Sequence, residues 1–405
     1  VALYIHIPYC EAKCHYCDFN SYAGREREFE TYVEALCLDL RRSAQAVRER
    51  GTLPLPLRTV FIGGGTPSVL PGPLLARVLE VAREELGFAA DIEITSEANP
   101  GSAQGPFIEA MLSAGLTRLS MGVQSMHDGE LALLGRVHTR EVAVAAVRTA
   151  RACGVPNLSL DFIFGLPGQS VEAWRHNLAE AIALEPEHLS CYGLIIEEAT
   201  AFGRSHAAGQ LVVPDDDAQA EMYDATVAMT RAAGYEQYEI SNYARNGLRC
   251  RHNEMYWRNG AYLGVGAGAV SYLDGWRFTR CLRPAEYIRR VQEDVSVVTE
   301  AERVSAGMRL AETLILGLRT RDGVDLRALP ELPPGLLSAL LADFLAGGLV
   351  VEERGWLRPT DAGVFVSSGI MERLLELPAH LAQEACASSL NSNQSFNSLH
   401  SLIFA

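Results

Sequence analysis

Three cysteines stand close together near the start of the chain, in Cys10-Glu11-Ala12-Lys13-Cys14-His15-Tyr16-Cys17. With nine cysteines in 405 residues, a C-x3-C-x2-C spacing arises by chance only about 0.004 times per such chain. Thiolates so spaced bind zinc or three irons of a cubane cluster. No fourth Cys or His lies at ordinary zinc-finger spacing except His15, inside the loop itself. Position and spacing favour iron–sulfur. Three thiolates leave one iron of a cubane open to a ligand carrying an amine and a carboxylate.

Other residues of chemical type follow. Gly63-Gly64-Gly65-Thr66-Pro67 allows close approach of backbone to a ligand, and turn N–H groups suit a carboxylate. Glu97, Gln124 and Asp161 each fall at or near the end of a β-like run, and His252-Asn253-Glu254-Met255-Tyr256-Trp257 sets an imidazole beside flat aromatic surfaces.

The elements that must position them alternate. Strands are expected at 3–8, 58–63, 91–97, 117–123, 157–164 and 188–196, apolar enough for burial on both faces. Helices are expected at 25–50, 71–86, 104–114, 127–134, 139–153 and 170–184, several with a Gly or Pro stop. Six βα units predict an α/β fold with an incomplete (β/α)6 barrel over residues 1–200. The polar residues and glycines then gather at the strand ends, the rim where barrels do chemistry. Residues 201–298 are expected as an extension carrying the His252 segment. Residues 299–377 are expected as a winged-helix-like module, and 378–405, rich in Ser and Asn, as a disordered tail.

The net charge is -15, with 48% hydrophobic residues. An acidic surface disfavours nucleic acid, and no basic run offsets it. No apolar run reaches the roughly 18 to 20 residues that span a bilayer, and a secretory signal is lacking, so a cytoplasmic protein is expected, with peripheral membrane contact left open. The six other cysteines, scattered without ligand spacing, fit a reducing compartment.

Together, the cysteine loop after the first strand, GGGTP after the second and the six-unit barrel resemble the radical S-adenosylmethionine (SAM) superfamily. Tyr4-Ile5-His6-Ile7-Pro8, Met121-Gly122-Val123-Gln124 and Gly165-Leu166-Pro167-Gly168-Gln169 extend the resemblance to the oxygen-independent coproporphyrinogen III oxidase subfamily over roughly residues 1–375. That resemblance implies a 4Fe-4S cluster on Cys10, Cys14 and Cys17, and SAM lined by Tyr4, Gly64, Gly65, Thr66, Glu97, Gln124, Arg136 and Asp161, with Tyr16 packing beside the cluster loop. It also implies an electron donor wherever SAM is cleaved. Arg136 alone would read as a solvated charge.

Oxidases of this subfamily carry one more cysteine, C-x3-C-x2-C-x-C, where this chain has Phe19. That loop, and the HNxxYW match at His252, are similar instead to the HemW-type haem chaperones. By this resemblance the chain binds haem and passes it to acceptor haemoproteins; the alternative is coproporphyrinogen III decarboxylation or another radical reaction on a tetrapyrrole. Haem needs an axial donor and flat walls. His252 is expected as the iron ligand, Asn253 as the group fixing its tautomer, and Tyr256 and Trp257 as the walls.

Overall fold

The computed structural model describes residues 1–51 and 55–381. Six parallel strands carry the first half of the chain: β1 (Ala2–Ile7), β2 (Leu57–Gly64), β3 (Phe88–Ala98), β4 (Arg118–Gln124), β5 (Leu158–Phe164) and β6 (His188–Gly193), paired in chain order. The expected strands are all present, with ends moved by a few residues. Between them run helices Phe29–Arg50, Gly72–Leu86, Gly105–Ser113, Arg140–Ala152 and Val171–Ala183, with a short turn of helix at Asp128–Leu133.

Alternate residues of each strand face opposite sides, and here the two sides differ in kind. Leu3, Ile5 and Ile7, Val60 and Ile62, Leu119 and Met121, and Leu158 and Leu160 join the main hydrophobic core beneath the helices. The other register, Tyr4, Thr59, Glu97, Arg118, Ser120, Ser159, Asp161, His188 and Ser190, faces the lumen. There Ser120 meets Asp161 at 3.2 Å and Ser159 meets His188 at 2.8 Å. The expectation of burial on both faces holds for accessibility, but the inner face is polar.

The sixth unit ends later than 200. Its helix is Asp216–Ala232, which packs beside Val171–Ala183 and lies inside the nominal extension. The remaining extension adds strands to both sheet edges. Tyr262–Val265 pairs parallel with β1, followed antiparallel by Val270–Leu273, Trp276–Arg280 and Val298–Arg303, while Asn242–Ala244 pairs antiparallel with β6. The main core runs on through Val297, so barrel and extension share one interior. A buried ion pair, Arg280 Nε to Asp39 Oδ2 at 2.9 Å, fastens the extension to helix Phe29–Arg50, and Tyr287 donates to the same carboxylate.

The last module has its own core around Leu310, Leu314, Leu341, Val350 and Leu357. Helix Ala306–Gly317, two short helices and the antiparallel hairpin Val350–Glu353 with Trp356–Pro359, flanked by Val324–Asp325, give the winged-helix-like order. Residues 377–381 are helical, with Leu377 buried and Leu381 packed on this core. A tail starting at 378 is therefore corrected for 378–381; the rest of that expectation, 382–405, lies outside the described residues.

Candidate functional site

Strand polarity sets where each candidate residue lies. The cysteine loop leaves the C-terminal end of β1 and is held from several sides. Cys17 N–H donates to Cys14 O, and His15 N–H donates to Leu134 O at 3.0 Å. Lys13 Nζ bonds Phe19 O at 2.6 Å and Ser21 Oγ at 2.9 Å. Asn20 Nδ2 donates to Ala267 O and Leu282 O of the extension, at 3.1 and 2.9 Å. Tyr16 packs with Leu134, Ile163, Leu166 and Phe202, beside the loop.

Two of the thiols accept side-chain hydrogen bonds from the rim. Thr66 Oγ1 donates to Cys10 Sγ and Arg136 Nη1 to Cys14 Sγ, both at 3.5 Å. Burial pushes the Cys10 thiol pKa up, while the Thr66 and Ser21 hydroxyls pull it down. Burial likewise raises Cys17, opposed by the Phe19 backbone N–H. Among the described residues no three His, Cys, Asp or Glu side chains converge as the ligand set of a single ion. The three thiols share one loop, and the donors aimed at their sulfurs suit a thiolate-held cluster.

The glycines also make close contacts within the protein. A Cβ on Gly64, at φ +112°, would lie 2.3 Å from the His6 ring, and one on Gly65 would lie 2.5 Å from Tyr9 O. This close approach is to β1 and the base of the cysteine loop, so these glycines seat the loop against the barrel. Gly64 N–H still has a partner at the rim, Glu97 Oε2 at 3.0 Å.

Glu97 and Asp161 share the lumen. Burial, with repulsion from Asp161, pushes the Glu97 pKa up to about 7 against the opposing Gly64 N–H. Burial also raises Asp161, which Ser190, Ser120 and Ser159 hydroxyls and the Arg118 charge oppose. Tyr4 OH meets His6 Nδ1 at 2.9 Å. Gln124 takes a left-handed φ of 70° where the β4–β5 register shifts, which turns the chain out of the strand at the rim. Arg136 is no solvated charge: Nη2 donates to Asn99 Oδ1 and Gly122 O, each at 2.7 Å, and Nε is buried without a partner. Tyr4, Gly64, Gly65, Thr66, Glu97, Gln124, Arg136 and Asp161 therefore gather at the upper lumen and rim beside the cysteine loop.

The His252 segment does not join them. Helix Arg251–Trp257 lies against the N-terminal ends of the strands, where the Arg251 and His252 N–H groups donate to the Glu93 carboxylate at 3.0 Å. His252 is 1% exposed. Its Nδ1 meets Thr59 Oγ1 at 3.0 Å, its Nε2 meets Tyr256 OH at 3.1 Å, and its ring lies 5.1 Å from that of Phe61. Thr59 precedes Gly64 by five residues, about 16 Å along β2. In this conformation both ring nitrogens are engaged and the imidazole is enclosed, so the expected role as iron ligand requires the helix to move. Burial and the positive charges of the N-terminal amine and Arg118 push its pKa down to about 3, so the ring is neutral. Thr59 Oγ1 and Tyr256 OH orient the ring. Trp257 lies under the Arg319 guanidinium, 4.6 Å from the ring centre, so Tyr256 and Trp257 are occupied by protein partners rather than lining an open pocket.

Asn99, in Ser96-Glu97-Ala98-Asn99-Pro100, went unassigned in the sequence reading although it bridges Thr66 and Arg136. Only its place in a motif next to Glu97 could have pointed to it.

A three-thiol loop on a six-stranded partial barrel, bordered by a glycine turn and lumen carboxylates, defines a protein of the radical SAM class, and residues 4–181 match the radical SAM superfamily. Residues 304–366 match the HemN C-terminal domain. A protein named heme chaperone HemW from Synechocystis sp. is 38% identical over 88% of this chain and 86% of its own. Another of that name, from Escherichia coli, is 42% identical over 71% and 76%. The chain belongs to this HemW family within the radical SAM superfamily. In fold it is similar to coproporphyrinogen III oxidase (HemN) from Escherichia coli, with a TM-score of 0.80 over 92% of this chain and 89% of that one, at 22% identity.

Proposed function

We propose that this protein binds haem and delivers it to acceptor haemoproteins, carrying a 4Fe-4S cluster on Cys10, Cys14 and Cys17 and SAM at the barrel rim. The observation that carries the reading is similarity along most of the chain to proteins named heme chaperone HemW. Phe19, 64% exposed beside the cluster loop, supports it, because no fourth loop thiol stands there.

When bound, the cluster supplies an electron to the SAM sulfonium. This chain's part is to hold and shield. Thr66 and Arg136 donate to cluster thiols, Gly64 N–H is paired with the Glu97 carboxylate at the rim, and Arg136 Nε is buried without a protein partner. The polar lumen orients polar groups of SAM, and the helix at its floor excludes water. Haem is cargo. For His252 to reach its iron, helix Arg251–Trp257 has to leave Glu93 and both imidazole hydrogen bonds have to break, so the closed state presents haem with no ligand there.

The test is an anaerobic assay of the reconstituted protein with SAM, with and without haem and coproporphyrinogen III, alongside haem transfer to an apo-haemoprotein. Transfer without decarboxylation is the expected result. Conversion of coproporphyrinogen III with matching SAM consumption would establish the oxidase alternative instead.

A further inference from the structure

Three side chains, Thr66, Asn99 and Arg136, link two of the cluster thiols around the rim. From Cys10 Sγ the path runs to Thr66 Oγ1 at 3.5 Å, to Asn99 Nδ2 at 3.2 Å, from Asn99 Oδ1 to Arg136 Nη2 at 2.7 Å, and from Arg136 Nη1 to Cys14 Sγ at 3.5 Å. Donor and acceptor roles along it are forced. A guanidinium only donates, so the amide must turn Oδ1 toward Arg136 and Nδ2 toward Thr66. The Thr66 oxygen then accepts from the amide, and its single hydroxyl proton is left for Cys10 Sγ. Asn99 is itself fixed, its backbone N–H donating to Ser68 Oγ at 3.1 Å and Ser68 meeting Ser102 at 2.7 Å.

We infer that Asn99 is a positioning residue that tunes the reduction potential of the cluster, because its amide polarity directs the Thr66 hydroxyl onto Cys10 and holds the Arg136 guanidinium against Cys14. The inference rests on the proposed cluster at Cys10, Cys14 and Cys17. Hydrogen bonds and positive charge at cluster sulfurs stabilise the more negative, reduced state and raise the potential. A carboxylate at this position would reverse the polarity. With Asn99→Asp, both oxygens accept, so the Thr66 proton is drawn to residue 99 and away from Cys10, while the Arg136 charge is neutralised. Each change lowers the potential.

The experiment is a dye-mediated anaerobic titration of the full-length reconstituted protein, with reduced cluster read by electron paramagnetic resonance and iron counted separately. N99D is expected to lower the reduced-to-oxidised ratio at fixed ambient potential at least tenfold, which for one electron is 59 mV. Asn99→Ala, which adds no charge, moves the ratio the same way by a smaller factor and decides the matter should N99D fail to load. Thr66→Val shifts it in the same direction and Thr66→Ser, keeping the hydroxyl, restores the native value. A fully loaded N99D or N99A with an unchanged ratio overturns the role of Asn99, as does a Thr66→Ser shift as large as that of Thr66→Val. Failure of the native chain to bind iron through the three cysteines is separate and overturns the cluster reading itself.

Discussion

Replacing His252 separates a structural imidazole from an iron ligand. The ring satisfies two hydroxyls, Thr59 Oγ1 and Tyr256 OH, and packs on Phe61 in a site 1% exposed. His252→Ala leaves those hydroxyls without their partner and opens a cavity, which together cost about 2–5 kcal/mol. The urea midpoint is expected to fall at constant slope, while haem affinity of the folded variant, from absorbance titration, stays within about twofold. A pH test adds to this. The imidazole is neutral in the fold, with its pKa lowered from 6.5 to about 3, so the unfolded chain takes up the proton first as pH falls. Stability from this residue is whole above pH 6.5 and is lost progressively as pH drops toward 3, about 2 kcal/mol of it between pH 7 and 5. The stability gap between the native chain and the non-titrating His252→Phe should narrow by about that amount over the same interval. Unchanged stability in His252→Ala, together with a tenfold or greater loss of haem affinity, would refute this reasoning and restore the ligand.

Cys14→Ala should remove cluster absorbance and most bound iron while leaving the circular dichroism spectrum intact. Glu97 has a raised pKa near 7, so the fold holds its proton more tightly than the unfolded chain does and loses stability as pH rises from about 4.5 through 7. Glu97→Gln is therefore expected to raise Tm at pH 8 and leave it nearly unchanged at pH 4, and SAM affinity by equilibrium dialysis should lose its dependence on pH near 7. Arg280→Ala strands the Asp39 carboxylate in the interior and should destabilise by about 3–5 kcal/mol in chemical denaturation.

The strands and the cysteine loop were legible because each has a local signature: short apolar runs bounded by turn residues, and thiols at a fixed spacing. Lumen polarity was harder to see. Arg118, Ser120, Ser159 and Asp161 sit singly within apolar runs, and only closure of the sheet brings them together. The surroundings of His252 were hidden for a related reason, since a histidine followed by Tyr and Trp looks the same in sequence whether it awaits iron or bonds Thr59 across 193 residues. The glycine turn was found, but its reason, contact with His6 and Tyr9, needed the fold. Asn99 carried no signal of its own; its importance lies in two partners 33 and 37 residues away.

The anchoring of Asn20 has a bearing on how the protein is born. Its amide is fastened to Ala267 and Leu282, and β1, which bears the loop, is flanked on one side by Tyr262–Val265. A ribosome makes the thiols and Asn20, yet must deliver some two hundred and sixty residues after them before the loop gains those supports. Iron loading in its final geometry is therefore a late event, and a nascent or truncated chain lacking the extension would present three tethered but unbraced thiols to metal and oxidant.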